Sequence, residues 1–168
     1  NINFSERNIL MTHHTLLHEH EAMFSDSEIR FNIGGTEGID AAYFNDFDYV
    51  ALGHLHNPQY LGKKHIRYSG SMLKYSESEI SINKSICMVE LNNKSDTNIT
   101  LLPLTPKRDL KVLKGTIEEL LKDPSKIIED YVYVVLTNES TIPYAMKRIR
   151  VKYPNAVSLT YDNILKQI

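Results

Sequence analysis

Two short apolar runs, each stopping on histidine, constrain most strongly what this chain can fold into. NILMT (residues 8–12) leads into His13, and DYVAL (residues 48–52) leads through Gly53 into His54-Leu55-His56. Both runs are too short for a stable helix, and neither alternates apolar with polar residues, so each reads as a buried strand. Buried strands without alternation belong to parallel sheets covered on both faces. Ligands of such sheets gather just beyond the carboxyl ends of the strands. Two parallel strands would therefore bring His13, His54 and His56 to one rim.

In an extended segment, residues two apart point the same way, so His54 and His56 would stand with Cβ atoms roughly 6–7 Å apart. That suits two imidazoles reaching two neighbouring ions, which lie about 3.5–4 Å apart in two-metal hydrolases. Neutral imidazole is a good donor for Mn-, Fe- or Zn-type cations, and Gly53 lets the backbone approach closely. The same spacing also occurs as a pair of exposed loop side chains, and spacing alone does not separate the two readings. Of the seven histidines, His14, His18 and His20 fall in a polar loop and read as solvated, and His65 reads as exposed on a hairpin. A two-metal site also needs carboxylates to balance charge. The nearest acids are Asp46 and Asp48, and Asp48 precedes its strand at the wrong end.

Around these runs, residues 1–102 read as a strand-rich unit. Residues 16–32 are irregular and polar, a loop. Thr36 is a helix N-cap with Glu37 and Asp40 in the first turn, predicting a helix to about Asn45. Residues 59–61 and 65–68 make a hairpin, and residues 85–91 and 98–102 a second strand pair. Pro103 and Pro106 mark a boundary. Residues 103–168 then alternate as a small βαβαβ layer with strands at 110–113, 131–136 and 157–161. One helix spans residues 116–122, with Thr116 as cap and Glu119 in capping-box position, and another spans 143–153. The first unit holds 8 Lys and Arg against 13 Asp and Glu, the second 11 against 8, which fits two functional units. The 143–153 helix carries Lys147, Arg148, Arg150 and Lys152, either a solvated basic rim or a surface for nucleic-acid phosphates. No apolar run reaches 18 residues, the N-terminus is polar, and Cys87 is alone. These features predict a soluble protein of a reducing cytoplasm without membrane span or signal peptide.

Four segments occur in a telling order: NILMTH (8–13), IGGTEGID (33–40), DYVALGHLH (48–56) and RYSGS (67–71). Together they resemble the bacterial SbcD family, the nuclease subunits of SbcCD complexes, within the calcineurin-like metallophosphoesterases. Residues 104–115 and the segment RIRVKYPN (148–155) resemble that family's capping domain. The resemblance implies an α/β fold: the C-terminal part of a metallophosphoesterase β-sandwich flanked by helices (1–102), followed by a capping domain (103–168). It implies metal-ligand roles for His13 and His54 at one ion and for His56 at a second. The ions would typically be manganese, and the activity hydrolysis of DNA phosphodiesters. DNA and an SbcC-type ATPase are the implied partners, with a homodimer of the whole protein.

The family's Asp-x-His, Gly-Asp-x-x-Asp and Gly-Asn-His-Asp motifs do not occur in these 168 residues. The family also continues past the capping domain into an ATPase-engaging segment, and Glu77 stands where a bulky apolar residue is more usual. The resulting expectation is part of a nuclease whose acidic ligands lie outside this sequence, inactive by itself. The alternatives are a non-catalytic DNA- or partner-binding module and another calcineurin-like phosphoesterase.

Overall fold

The computed structural model describes residues 2–18, 22–28, 38–123 and 125–162. The chain divides into two compact units, Asn1–Thr105 and Pro106–Ile168. The fold is mixed α/β.

In the first unit the strands are β1 (Ile9–His13), β2 (Leu16–Leu17), β3 (Ile39–Asp40), β4 (Tyr49–Gly53), β5 (Gln59–Leu61), β6 (Lys63–Tyr68), β7 (Ser85–Leu91) and β8 (Thr97–Pro103). Four of them form a sheet in the order β1-β4-β6-β5. β1, β4 and β6 run parallel, and β5 returns antiparallel on β6. β4 is interior to the sheet, and its Tyr49, Val50 and Leu52 are all buried, as a continuous apolar run requires. Val50, Leu52, Leu55, Leu61, Ile66 and Tyr68 share one core with Leu16 and Ala41. The β5–β6 turn closes on Gly62 at φ 63°, where the left-handed conformation favours glycine. β7 and β8 form a separate antiparallel pair joined through residues 92–96.

Asp48 fixes the amino ends of the strands. Its carboxylate accepts hydrogen bonds from the Asn8 and Ser95 N–H groups and the Lys94 ammonium, each at 2.7 Å. Its own N–H donates to the Asn8 carbonyl at 2.9 Å. Burial alone would raise its pKa, but these donors hold the carboxylate well below its usual range. Tyr68 secures the chain after β1, its phenol donating to the His14 carbonyl at 2.8 Å and accepting from the Leu16 N–H at 2.9 Å. Burial pushes that phenol up to about 12.

Several expectations need correction. β1 lies at the edge of its sheet with one face open, leaving Ile9 and Met11 exposed, so it is not buried on both faces. The predicted helix to Asn45 is one 3-10 turn over Ala41–Phe44, capped by the Asp40 side chain on the Ala42 N–H at 2.8 Å. Thr36 and Glu37, predicted to start that helix, lie outside the described residues. The predicted loop over 16–32 begins with β2, which pairs with β3. His65 is half-buried, and burial lowers its pKa.

The second unit is a three-stranded parallel sheet in the order β9-β10-β11, made of β9 (Leu110–Gly115), β10 (Tyr131–Leu136) and β11 (Ala156–Tyr161). Helix α1 (Ile117–Leu120) follows β9 and α2 (Ala145–Lys152) follows β10. A capping box opens α1: the Thr116 hydroxyl accepts from the Glu119 N–H while the Glu119 carboxylate accepts from the Thr116 N–H. Central β10 buries Val132, Val134 and Leu136 against Ile117, Ala145, Ile149 and Tyr153.

Candidate metal centre

His13 ends β1 and pairs in register with Gly53 at the end of β4. The two parallel strands thus deliver the His13 ring beside His54, with centroids 5.7 Å apart and planes at 68°. The glycine is required by this approach, because a Cβ at position 53 would fall 2.6 Å from His13 Nδ1. β4 ends there, and His54 turns sharply at φ 100°. The extended geometry assumed for His54 and His56 is therefore absent, although buried Leu55 still separates two half-buried histidines. A positive φ at a non-glycine residue is strained and clusters at functional positions.

His54 Nε2 is buried and has no hydrogen-bond partner among the described residues. A buried polar nitrogen left unsatisfied costs about 1–3 kcal/mol, and a cation shared with His13 would satisfy it. Burial and the neighbouring His13 imidazole both lower the His54 pKa, favouring the neutral, coordinating form. The donor chemistry at this pair therefore fits a divalent ion, with His13 and His54 as an incomplete ligand set. Among the described residues, no group of three or more His, Cys, Asp or Glu side chains converges to hold a metal.

His56 is held differently. Its N–H donates to Glu28 Oε1, and its carbonyl accepts from Lys84 Nζ at 2.9 Å and the Ser71 N–H at 3.1 Å. Its Nδ1 lies 2.8 Å from Ser27 Oγ and 3.2 Å from Glu79 Oε1. Tyr75 flanks the ring at 5.4 Å between centroids. Glu79, on a 3-10 turn at Glu77–Glu79, is fully buried. It takes Ser27 and Ser76 hydroxyls at 2.7 and 3.1 Å on Oε1 and the buried Lys84 ammonium at 2.6 Å on Oε2. Burial alone would raise the Glu79 pKa, but Lys84, Ser27 and His56 hold it far below the usual range. Glu28 and Glu79 thus stand beside the histidines although no local sequence pattern marks them. Their oxygens are engaged with serines, Lys84 and His56.

The remaining candidates separate. His14 is exposed, His18 packs its Nε2 within 2.5 Å of where a Gly62 Cβ would lie, and His20 is outside the described residues. Asp48 bonds at the opposite end of β4 from His54, and Glu77 is exposed. On α2, Lys147, Arg148 and Arg150 are exposed. Lys152 is buried instead, donating to the Leu120 carbonyl at 2.9 Å. Ala145, Ile149 and Lys152 recur at i, i+4 and i+7, so the helix turns all three inward.

Residues 106–167 match the SbcD C-terminal domain family, described as "Type 5 capsule protein repressor C-terminal domain". The chain is 37% identical over 155 residues to the D component of nuclease SbcCD from Staphylococcus epidermidis, covering 91% of this chain and 41% of that protein. It is 37% identical over 138 residues to the protein of the same name from Staphylococcus saprophyticus, covering 81% of this chain and 36% of that one. The chain thus spans about two fifths of the length of the curated relatives it matches. Residues 106–167 thus match an SbcD C-terminal domain, and the chain is similar over most of its length to a part of the D subunits of nuclease SbcCD.

Proposed function

We propose that this chain supplies the histidine rim and the accompanying small α/β domain of an SbcD-type, metal-dependent DNA nuclease. The observation that carries the reading is the His13–His54 pair at the carboxyl ends of two parallel strands, with a buried His54 Nε2 that has no hydrogen-bond partner among the described residues. His13 and His54 would hold one divalent ion and His56 a second, manganese being the ion that the resemblance implies. When bound, such ions generate a nucleophile from water at neutral pH and stabilise charge on the phosphodiester. The chain's own residues do the positioning: Gly53 admits the His13 ring, and Ser27, Glu79 and Lys84 hold His56. Residues 1–102 would be part of the nuclease domain and 103–168 its capping domain. Lys147, Arg148 and Arg150 would contact DNA phosphates, which position a duplex without reading its sequence. An SbcC-type ATPase is the partner in the assembly, and the whole protein would act as a homodimer in the cytoplasm. No helix among the described residues is long and apolar enough to cross a membrane.

The test is a Mn²⁺-dependent DNA degradation assay on the native protein carrying this sequence, beside His54→Ala and His56→Ala. Each variant should lose at least about 100-fold in rate, the scale on which removing a key electrostatic group acts. Undiminished cleavage by both variants would contradict the reading. The isolated 168-residue chain, which contains none of the family's Asp-x-His, Gly-Asp-x-x-Asp and Gly-Asn-His-Asp motifs, should show no efficient cleavage.

A further inference from the structure

We infer that Glu79 is a positioning residue that fixes the tautomer and orientation of His56 for metal binding, with Lys84 locking Glu79 in place. The inference rests on reading His56 as a metal ligand and adds a residue to that reading.

The proton on one nitrogen decides the matter. Glu79 Oε1 lies 3.2 Å from His56 Nδ1. An ionised carboxylate can only accept hydrogen bonds. Glu79 is fully buried and paired at 2.6 Å with a Lys84 ammonium whose side chain is only 3% exposed. A lone pair on Nδ1 facing that carboxylate would be repelled, so Nδ1 carries the hydrogen. The same choice satisfies Ser27: its one hydroxyl hydrogen goes to Glu79 Oε1 at 2.7 Å, and its oxygen, 2.8 Å from Nδ1, accepts from the ring. In the neutral imidazole the lone pair then resides on Nε2. Metal-ligating histidines commonly hand their other N–H to a carboxylate in this manner, which fixes the ring and raises its basicity.

Lys84 makes the arrangement rigid. Its three ammonium hydrogens match three acceptors: Glu79 Oε2 at 2.6 Å, the His56 carbonyl at 2.9 Å and Ser71 Oγ at 2.9 Å. The same cation therefore grips the backbone of His56 and the carboxylate that holds its ring. Glu28 takes the remaining His56 backbone group, its N–H. A buried charge pair is a weak source of stability, and this one is placed where it dictates the direction of a single imidazole nitrogen.

The test uses the native protein carrying this sequence, with ¹⁵N-labelled histidine and Mn²⁺ as the metal probe. In the metal-free wild type, under mildly alkaline conditions, the imidazole ¹⁵N shifts should report hydrogen on Nδ1. In Glu79→Gln the Lys84 ammonium keeps the amide oxygen, which leaves the NH2 donor facing Nδ1, so His56 should shift toward the Nε2–H form. Mn²⁺ affinity by calorimetry should fall about 10–100-fold, the cost typical of losing such a partner. Ser76→Ala disturbs the same buried network through a 3.1 Å bond to Glu79 without touching His56, and should leave tautomer and affinity nearly unchanged. Should Glu79→Gln not fold because Lys84 loses its counter-charge, Glu79→Leu with Lys84→Met removes both charges and every acceptor at position 79, and yields the tautomer readout. An unchanged tautomer, or equal affinity losses in Glu79→Gln and Ser76→Ala, overturns the positioning role. If His56→Ala itself leaves Mn²⁺ affinity unchanged, the ligand reading fails too. A neutral Glu79→Gln beside a damaging His56→Ala overturns the positioning role alone.

Discussion

The Cα atoms of His13 and Gly53 are register partners across the β1–β4 pair, and a Cβ on Gly53 would sit 2.6 Å from His13 Nδ1. No real side chain tolerates that separation, so Gly53→Ala forces the His13 ring to move. His13 is exposed and has room to do so. Stability should therefore fall by less than the ~1–3 kcal/mol of an overpacked core, while the His13–His54 pair is broken. A calorimetric titration of the native protein with Mn²⁺ should show about tenfold weaker binding or more, on the scale of a displaced ligand partner. Unaltered affinity would mean that the pair does not bind metal.

Asp48 and Glu79 predict acid sensitivity of one sign. Both carboxylates have native-state pKa values held below their ordinary values of 3.8 and 4.5. A depressed pKa contributes stability that is complete above the unfolded-state value. That stability erodes as pH falls below about 4 and is gone only beneath the native-state values. The urea midpoint of the chain should hold from about pH 7 to about pH 5 and drop steeply toward about pH 3. Asp48→Asn should cost about 2–4 kcal/mol at neutral pH, since the Lys94 ammonium loses its counter-charge, and should flatten part of the acid drop. A pH-independent midpoint in the wild type would contradict the electrostatic account.

The basic residues of α2 should divide by burial. Charge reversal at Lys147 and Arg148 should weaken DNA binding by the native protein. The slope of log K against log salt should fall by about 1 for each phosphate left without its cation. Lys152→Ala should leave that slope alone and instead destabilise the second unit by about 1–3 kcal/mol, because the Leu120 carbonyl loses its cationic donor. Equal effects of all three on the salt slope would place Lys152 on the binding face after all.

The capping box at α1 gives a local test of the second unit. Thr116→Ala removes one of its two reciprocal hydrogen bonds and should cost about 1 kcal/mol. Thermal denaturation of the chain measures it, and a shift of less than a few tenths of a kcal/mol would show that α1 is held by Ile117 packing alone.

What was legible in the sequence was what local pattern encodes. The apolar run of β4, the hairpin at Gly62, the β7–β8 pair and the strand–helix alternation after residue 106 each follow from periodicity, turn residues and caps within a few positions. The outward face of β1 was illegible because an apolar run does not say which element covers it. His54 at φ 100° was illegible because nothing marks a non-glycine left-handed residue in advance. The grip on His56 has no local signature, because Glu79 lies 23 residues away and Glu28 and Lys84 each 28 away. Only the folded chain juxtaposes them. Lys152 is a different case: its spacing from Ala145 and Ile149 already placed it on the inward face, although a cation ordinarily belongs on the outward one.

The central claim is that these histidines are ligands of divalent ions, and anomalous diffraction from Mn²⁺-soaked crystals of the native protein tests it most directly. One anomalous peak is expected within coordinating distance of both His13 and His54, with His54 contributing Nε2, and a second at His56 Nε2. Crystals that bind manganese elsewhere, with His54 Nε2 and His56 Nε2 both hydrogen-bonded to protein groups, would contradict it.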